Sequence, residues 1–83
     1  MEKVKKEFTE LAKAKIRDNR NLVISADNLG FVTIAQQIVI NEEGRETAVF
    51  LKGAIEVERK YLENLRDAIN NAISFIEEAP NNL

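Results

Sequence analysis

The chain has 83 residues, with 12 Lys+Arg against 14 Asp+Glu, one Pro, three Gly and no Cys, His or Trp. That length accommodates one small domain, residues 1–83. The missing His and Cys exclude zinc fingers, Cys–His nucleophiles and disulfide frames, and a net charge of −2 argues against a strongly basic nucleic-acid binder.

The first twenty residues hold seven cations and four anions. Within them Val4, Phe8, Leu11, Ala12 and Ile16 recur at helical spacing, with Lys3, Lys6, Lys13 and Arg17 facing away. This stripe predicts an amphipathic helix over 2–18, ended by the polar run Asp18-Asn19-Arg20-Asn21. Residues 22–26 read as a short strand and Asp27-Asn28-Leu29-Gly30 as a turn. A second strand follows over 31–40. Val32, Ile34, Ile38 and Ile40 lie on one face of it with Gln36, and Thr33, Ala35, Gln37 and Val39 lie on the other. Asn41-Glu42-Glu43-Gly44 is a second hairpin turn, and 45–52 a third strand. Residues 53–57 either extend that strand or open the last helix with Glu56 at its third position. From about 56 to 79 the stripe Leu62, Leu65, Ile69, Ala72, Ile73 and Ile76, widened by Tyr61 and Phe75, is helical, and Pro80 closes it before a frayed tail, 80–83.

The expected fold is therefore α+β, in the order α-β-β-β-α, a three-stranded antiparallel meander with an N-terminal helix and a long C-terminal helix. Chains of roughly 70–80 residues or fewer struggle to build a core without staples. This one has no thiols, and its strands are apolar on both faces, so a homodimer is expected, with Tyr61, Leu62, Leu65, Ile69 and Phe75 at the interface. A Lys/Glu-rich start is not a secretory signal and no apolar run is long enough to span a bilayer, so a soluble cytoplasmic protein without membrane contact is expected.

Catalytic chemistry has little to stand on. The carboxylates Glu42, Glu43 and Glu46 sit at a hairpin tip, solvated rather than desolvated for acid–base work, and Glu77-Glu78 sit at a helix end, unfavourably to its dipole. No His is present to activate Ser25, Thr33 or any other hydroxyl, and the glycines are isolated rather than gathered in a phosphate loop. No enzymatic activity, cofactor or metal is expected. Single-strand nucleic-acid binding needs aromatic faces and cations along the backbone path. The strands offer Phe31, Gln36, Gln37, Arg45, Phe50 and Lys52 for it.

Two resemblances bear on function. The stretch from Leu22 to about Ile69, with its tract IAQQIVINEEGRETAVF, resembles small phage anti-CRISPR inhibitors. That resemblance implies a non-catalytic plug acting on a nucleic-acid-handling host protein. Its contacts to a cationic partner surface would be Glu42, Glu43, Glu46, Glu56 and Glu58. The stretch KGAIEVERKYLENLRDAI, Lys52 to Ile69, resembles the strand and final helix of PC4-like coactivators, with Ala54 standing inside their lysine-glycine-isoleucine run. That second resemblance implies a helix-mediated dimer presenting curved sheets to single-stranded DNA. The interaction module is the first expectation, and the PC4-like binder is the alternative.

Overall fold

The computed structural model describes residues 5–78. The expected helix start at 2–4 and the expected tail at 80–83 lie outside them. The elements are β1 (Phe8–Arg17), β2 (Arg20–Asp27), β3 (Phe31–Glu42), β4 (Arg45–Phe50), β5 (Ile55–Glu58), a 3₁₀ turn (Arg59–Tyr61) and α1 (Leu62–Glu78). The strands form one antiparallel sheet in the order β1-β2-β3-β4, with β5 also pairing β3. The expected α-β-β-β-α layout is thus replaced by five strands and one C-terminal helix.

The largest correction is β1. Where a helix over 2–18 is expected, Phe8–Arg17 is a strand, and the helical spacing has a local cause. Pairing with β2 runs from Phe8 opposite Asp27 to Arg17 opposite Arg20, with register shifts between Glu10 and Ala12 and between Lys15 and Arg17. The two residues skipped are Leu11 and Ile16. Each inserts an extra residue into the two-residue alternation, which turns a spacing of two into spacings of three and four. Pairing to β2 then overrides the helix preference of a Lys-, Glu- and Ala-rich segment.

The other boundaries shift less. The expected strand 22–26 widens to Arg20–Asp27, and 31–40 lengthens to Phe31–Glu42. Between β3 and β4, Glu43 and Gly44 take φ of 50° and 80°. Two central residues of positive φ make the tight hairpin whose twist matches its strands. The expected strand 45–52 stops at Phe50. Phe50 pairs with Gln37 and Ile55 with Ile34, so residues 51–54 cross only two residues of β3, and Gly53 makes the detour at φ 100°. β4 and β5 therefore lie end to end along one edge of β3. Residues 53–57 resolve towards strand from Ile55 onward, because Glu56 and Val57 pair with Thr33 and Val32 instead of entering a helix. For that reason α1 begins at Leu62 rather than near residue 56.

Side chains directly opposite each other across an antiparallel pair share a face. The register therefore sorts the sheet. One face, the back, carries Leu22, Ile24, Val32, Ile34, Ile38, Ile40, Val49, Ile55 and Val57. The front carries Phe8, Ser25, Thr33, Ala35, Gln37 and Phe50. The helix covers neither. No described residue of α1 is buried, and only Leu62 and Leu65 at its root are half-buried. The buried apolar residues are Val23, Val32 and Ile34. The radius of gyration is 16.3 Å, against about 12 Å for a compact chain of this length.

Candidate nucleic-acid interface on the front of the sheet

The front face is organised around a shallow apolar slot of about 210 Å³, lined by Phe8, Ser25, Thr33, Ala35 and Phe50. Phe8 opens β1 on the outer edge, and Phe50 closes β4 on the opposite edge. The small residues of β2 and β3 between them form the floor. Both rings are more than half exposed, at 55% and 56%. The Thr33 hydroxyl oxygen is buried without a hydrogen-bond partner. Beyond Phe50 the face becomes polar: Gln37 is its cross-strand partner and receives a long 3.5 Å hydrogen bond from the Asn21 amide.

Cations gather at the β1–β2 end. Lys13 and Lys15 stand opposite Val23 and Asn21 on the front face, and Arg17 and Arg20 flank the turn that contains Asp18. Four of the seven cations of the first twenty residues thus stand at this end, whereas Lys5 and Lys6 lie at the other, beside Asn28 and Phe8. Lys13 lies 3.8 Å from Glu10, an exposed pair that salt screens readily. Lys6 reaches over the Phe8 ring, 5.6 Å from its centre, and bonds Glu56 at 3.1 Å.

Asp27 anchors the near end of the slot. Its Oδ1 accepts hydrogen bonds from the Leu29 and Phe31 amides at 2.8 and 2.9 Å, which fixes the β2–β3 turn. Its Oδ2 lies 3.7 Å from the Lys6 ammonium, and Arg59 donates to its backbone oxygen at 2.8 Å. Burial pushes the Asp27 carboxyl up, but the Phe31 and Leu29 donors with Lys6 and Arg59 outweigh it and hold the group below its ordinary 3.8.

The residues expected at a nucleic-acid face divide. Phe31, Gln37 and Phe50 share the front. Gln36 points to the back and accepts from Arg20 at 3.3 Å. Arg45 stands opposite Glu42 at the β3–β4 tip on the back-face register, and Lys52 is exposed in the detour between β4 and β5. Phe8, Lys13 and Lys15 belong to the face but escape the strand reading of the sequence because β1 carries a helical spacing, whereas Ser25 and Thr33 lie in expected strands without being singled out for the site.

The acidic set expected at a cationic partner does not converge. Glu42, Glu43 and Glu46 cluster at the β3–β4 tip, where Glu42, Glu43, Arg45 and Thr47 surround an open concavity of about 840 Å³. Glu56 and Glu58 lie at the other end of β3, opposite Thr33 and Phe31, where they pair with Lys6 and Lys60. The expected interface residues Tyr61, Leu62, Leu65, Ile69 and Phe75 all lie on the 3₁₀ turn and α1.

Among the described residues no group of His, Cys, Asp or Glu is arranged to hold a metal ion, and no helix is long and apolar enough to cross a membrane. No family model, curated protein or solved structure matches the chain.

Proposed function

We propose that this chain is a non-enzymatic binding protein that works as a homodimer and holds single-stranded nucleic acid on the front of its sheet. The observation that carries the reading is the slot between Phe8 and Phe50 on the front of the sheet. Two half-exposed rings at opposite edges, over a floor of small side chains, offer flat apolar surfaces to unpaired bases, and stacking of that kind tolerates any sequence. The cations Lys13 and Lys15 flank the path on one side and supply partners for phosphates. The strand Ile55–Glu58 leads into the closing helix in the order that the PC4-like resemblance implies, and the dispersed acidic residues give the inhibitor reading less support.

The homodimer rests on area. The accessible surface is 7189 Å², against about 5,000 Å² for a compact monomer of 9.4 kDa. The excess of roughly 2,200 Å² exceeds the ~800 Å² per partner of a standard interface. Exposed aliphatic residues include Ile40, Val49 and Ile55 on the back face and Ile69, Ile73 and Ile76 on α1.

Fluorescence anisotropy of a labelled 20-nucleotide oligothymidine, titrated at about 50 and 200 mM salt, tests the reading. Binding is expected at low salt, weakening as salt rises because counterions are released on contact with phosphates. No change in anisotropy at 50 mM salt would refute it.

A further inference from the structure

The residues just before β1 are held in a way that strand pairing does not require. The Asn28 side chain, in the β2–β3 turn, accepts from the Glu7 amide at 3.1 Å and donates to the Lys5 carbonyl oxygen at 3.0 Å. It clips the backbone on both sides of Lys6. The Lys6 side chain reaches over Phe8 to β5, and its ammonium has two carboxylate neighbours. They differ in kind. The Asp27 side chain is buried, and its Oδ2 lies 3.7 Å from the ammonium without a hydrogen bond. A buried carboxylate deprived of its counter-charge is costly, so Asp27 keeps Lys6 in place. The Glu56 side chain is half exposed at 3.1 Å, and an exposed pair of that kind exchanges easily. Register sets Glu56 at the end of a row across the front of the sheet. Glu10 stands opposite Ser25, Ser25 opposite Thr33, and Thr33 opposite Glu56. The two middle residues floor the slot. The glutamate at each end engages a lysine: Glu56 holds Lys6, and Glu10 lies 3.8 Å from Lys13.

We propose that Lys6 binds a backbone phosphate at the β2–β3 end of the slot, and that the Glu56 carboxylate occupies the phosphate's place until nucleic acid displaces it; this rests on the single-strand reading above. Asn28 and Asp27 hold the ammonium beside the Phe8 ring, where the backbone of a strand passes when its base stacks on that ring. Lys13 and Lys15 meet phosphates towards the β1–β2 turn, so the strand is gripped on both sides of the stacked base. The exchange also selects the ligand. An aromatic molecule without an anion leaves Glu56 on Lys6, whereas a phosphodiester replaces one anion by another.

Anisotropy of labelled oligothymidine at about 50 mM salt reads the exchange. Glu56→Gln should bind about 2- to 5-fold more tightly than the parent, because Lys6 is then free. Lys6→Gln keeps a donor for Asp27 and removes the charge. It should weaken binding and make the logarithmic salt slope shallower by about 0.7, the value for one phosphate contact on a single strand. In the Lys6→Gln background, Glu56→Gln should give no gain. Simple loss of a negative charge from the face would keep its gain there, so a gain that persists overturns the exchange. A parent that binds, with Glu56→Gln no tighter or with the salt slope of Lys6→Gln unchanged, overturns the Lys6 subsite and leaves the slot standing. Absence of binding by both the parent and Glu56→Gln overturns the two together. Lysine labelled with carbon-13 needs no substitution. The Lys6 ε-methylene signal should shift on adding oligothymidine, and a signal that stays still overturns the subsite even where Lys6→Gln does not fold.

Discussion

Removing the two rings that flank the slot gives the sharpest test of the nucleic-acid face. Phe8 and Phe50 are 55% and 56% exposed, so truncating them opens no core cavity and should leave the sheet intact. The buried apolar residues Val23, Val32 and Ile34 are untouched. Loss of one stacking platform costs about 1–3 kcal/mol per base by alanine substitution. Phe8→Ala and Phe50→Ala are thus each expected to weaken oligothymidine binding by about 5- to 150-fold. The rings sit on opposite edges of the sheet, so the double variant should approach the product of the two losses. Anisotropy titrations at fixed salt read the affinities, and far-ultraviolet circular dichroism checks the fold. A control substitution on the back face, Val49→Ala, should leave the affinity unchanged. Affinities of the Phe variants within twofold of the parent, with the fold retained, would refute the stacking argument.

Other consequences are more local. Val32 is 1% exposed, so Val32→Ala should cost about 2 kcal/mol of stability, read as a lower urea midpoint at unchanged slope. An unchanged midpoint would remove Val32 from the core. Gly44 holds φ 80° with open space around it, so Gly44→Ala meets only backbone strain and should cost about 1–2 kcal/mol; a neutral result would contradict the hairpin geometry. The Asp27 carboxyl is held below 3.8 in the folded chain, so its contribution is complete above that value and is lost as pH falls through the lower, folded value. Melting temperature should therefore drop more steeply below pH 4 in the parent than in Asp27→Asn. Parallel pH profiles for the two proteins would show that the β2–β3 turn does not depend on that charge.

Part of this molecule is written locally in the chain. The glycines at 30 and 44 mark real hairpins, and the alternation of Val32, Ile34, Ile38 and Ile40 correctly assigns one face of β3. The helical stripe from Leu62 onward is equally plain, since nothing competes with it. The errors arise where pairing decides. Leu11 and Ile16 imitate a helix because two register shifts break the strand period, and a single sequence does not distinguish a twice-shifted strand from an amphipathic helix. Glu56 and Val57 fit a helix start equally well until β3 claims them as partners. Losing β1 to a false helix also hid Phe8, and with it half of the slot. Phe31, Gln37 and Phe50 are legible as a face because their strands are, whereas the parity of Gln36 sends it to the back, away from the site expected for it.

The most direct measurement is residue-resolved. Amide chemical-shift changes of isotope-labelled protein on adding oligothymidine should concentrate at Phe8, Ser25, Thr33, Ala35 and Phe50 and at Lys13 and Lys15. The amides of Glu42, Glu43 and Glu46 at the β3–β4 tip should stay still. Shifts confined to that tip or to α1, with the front of the sheet silent, would contradict single-strand binding at the slot.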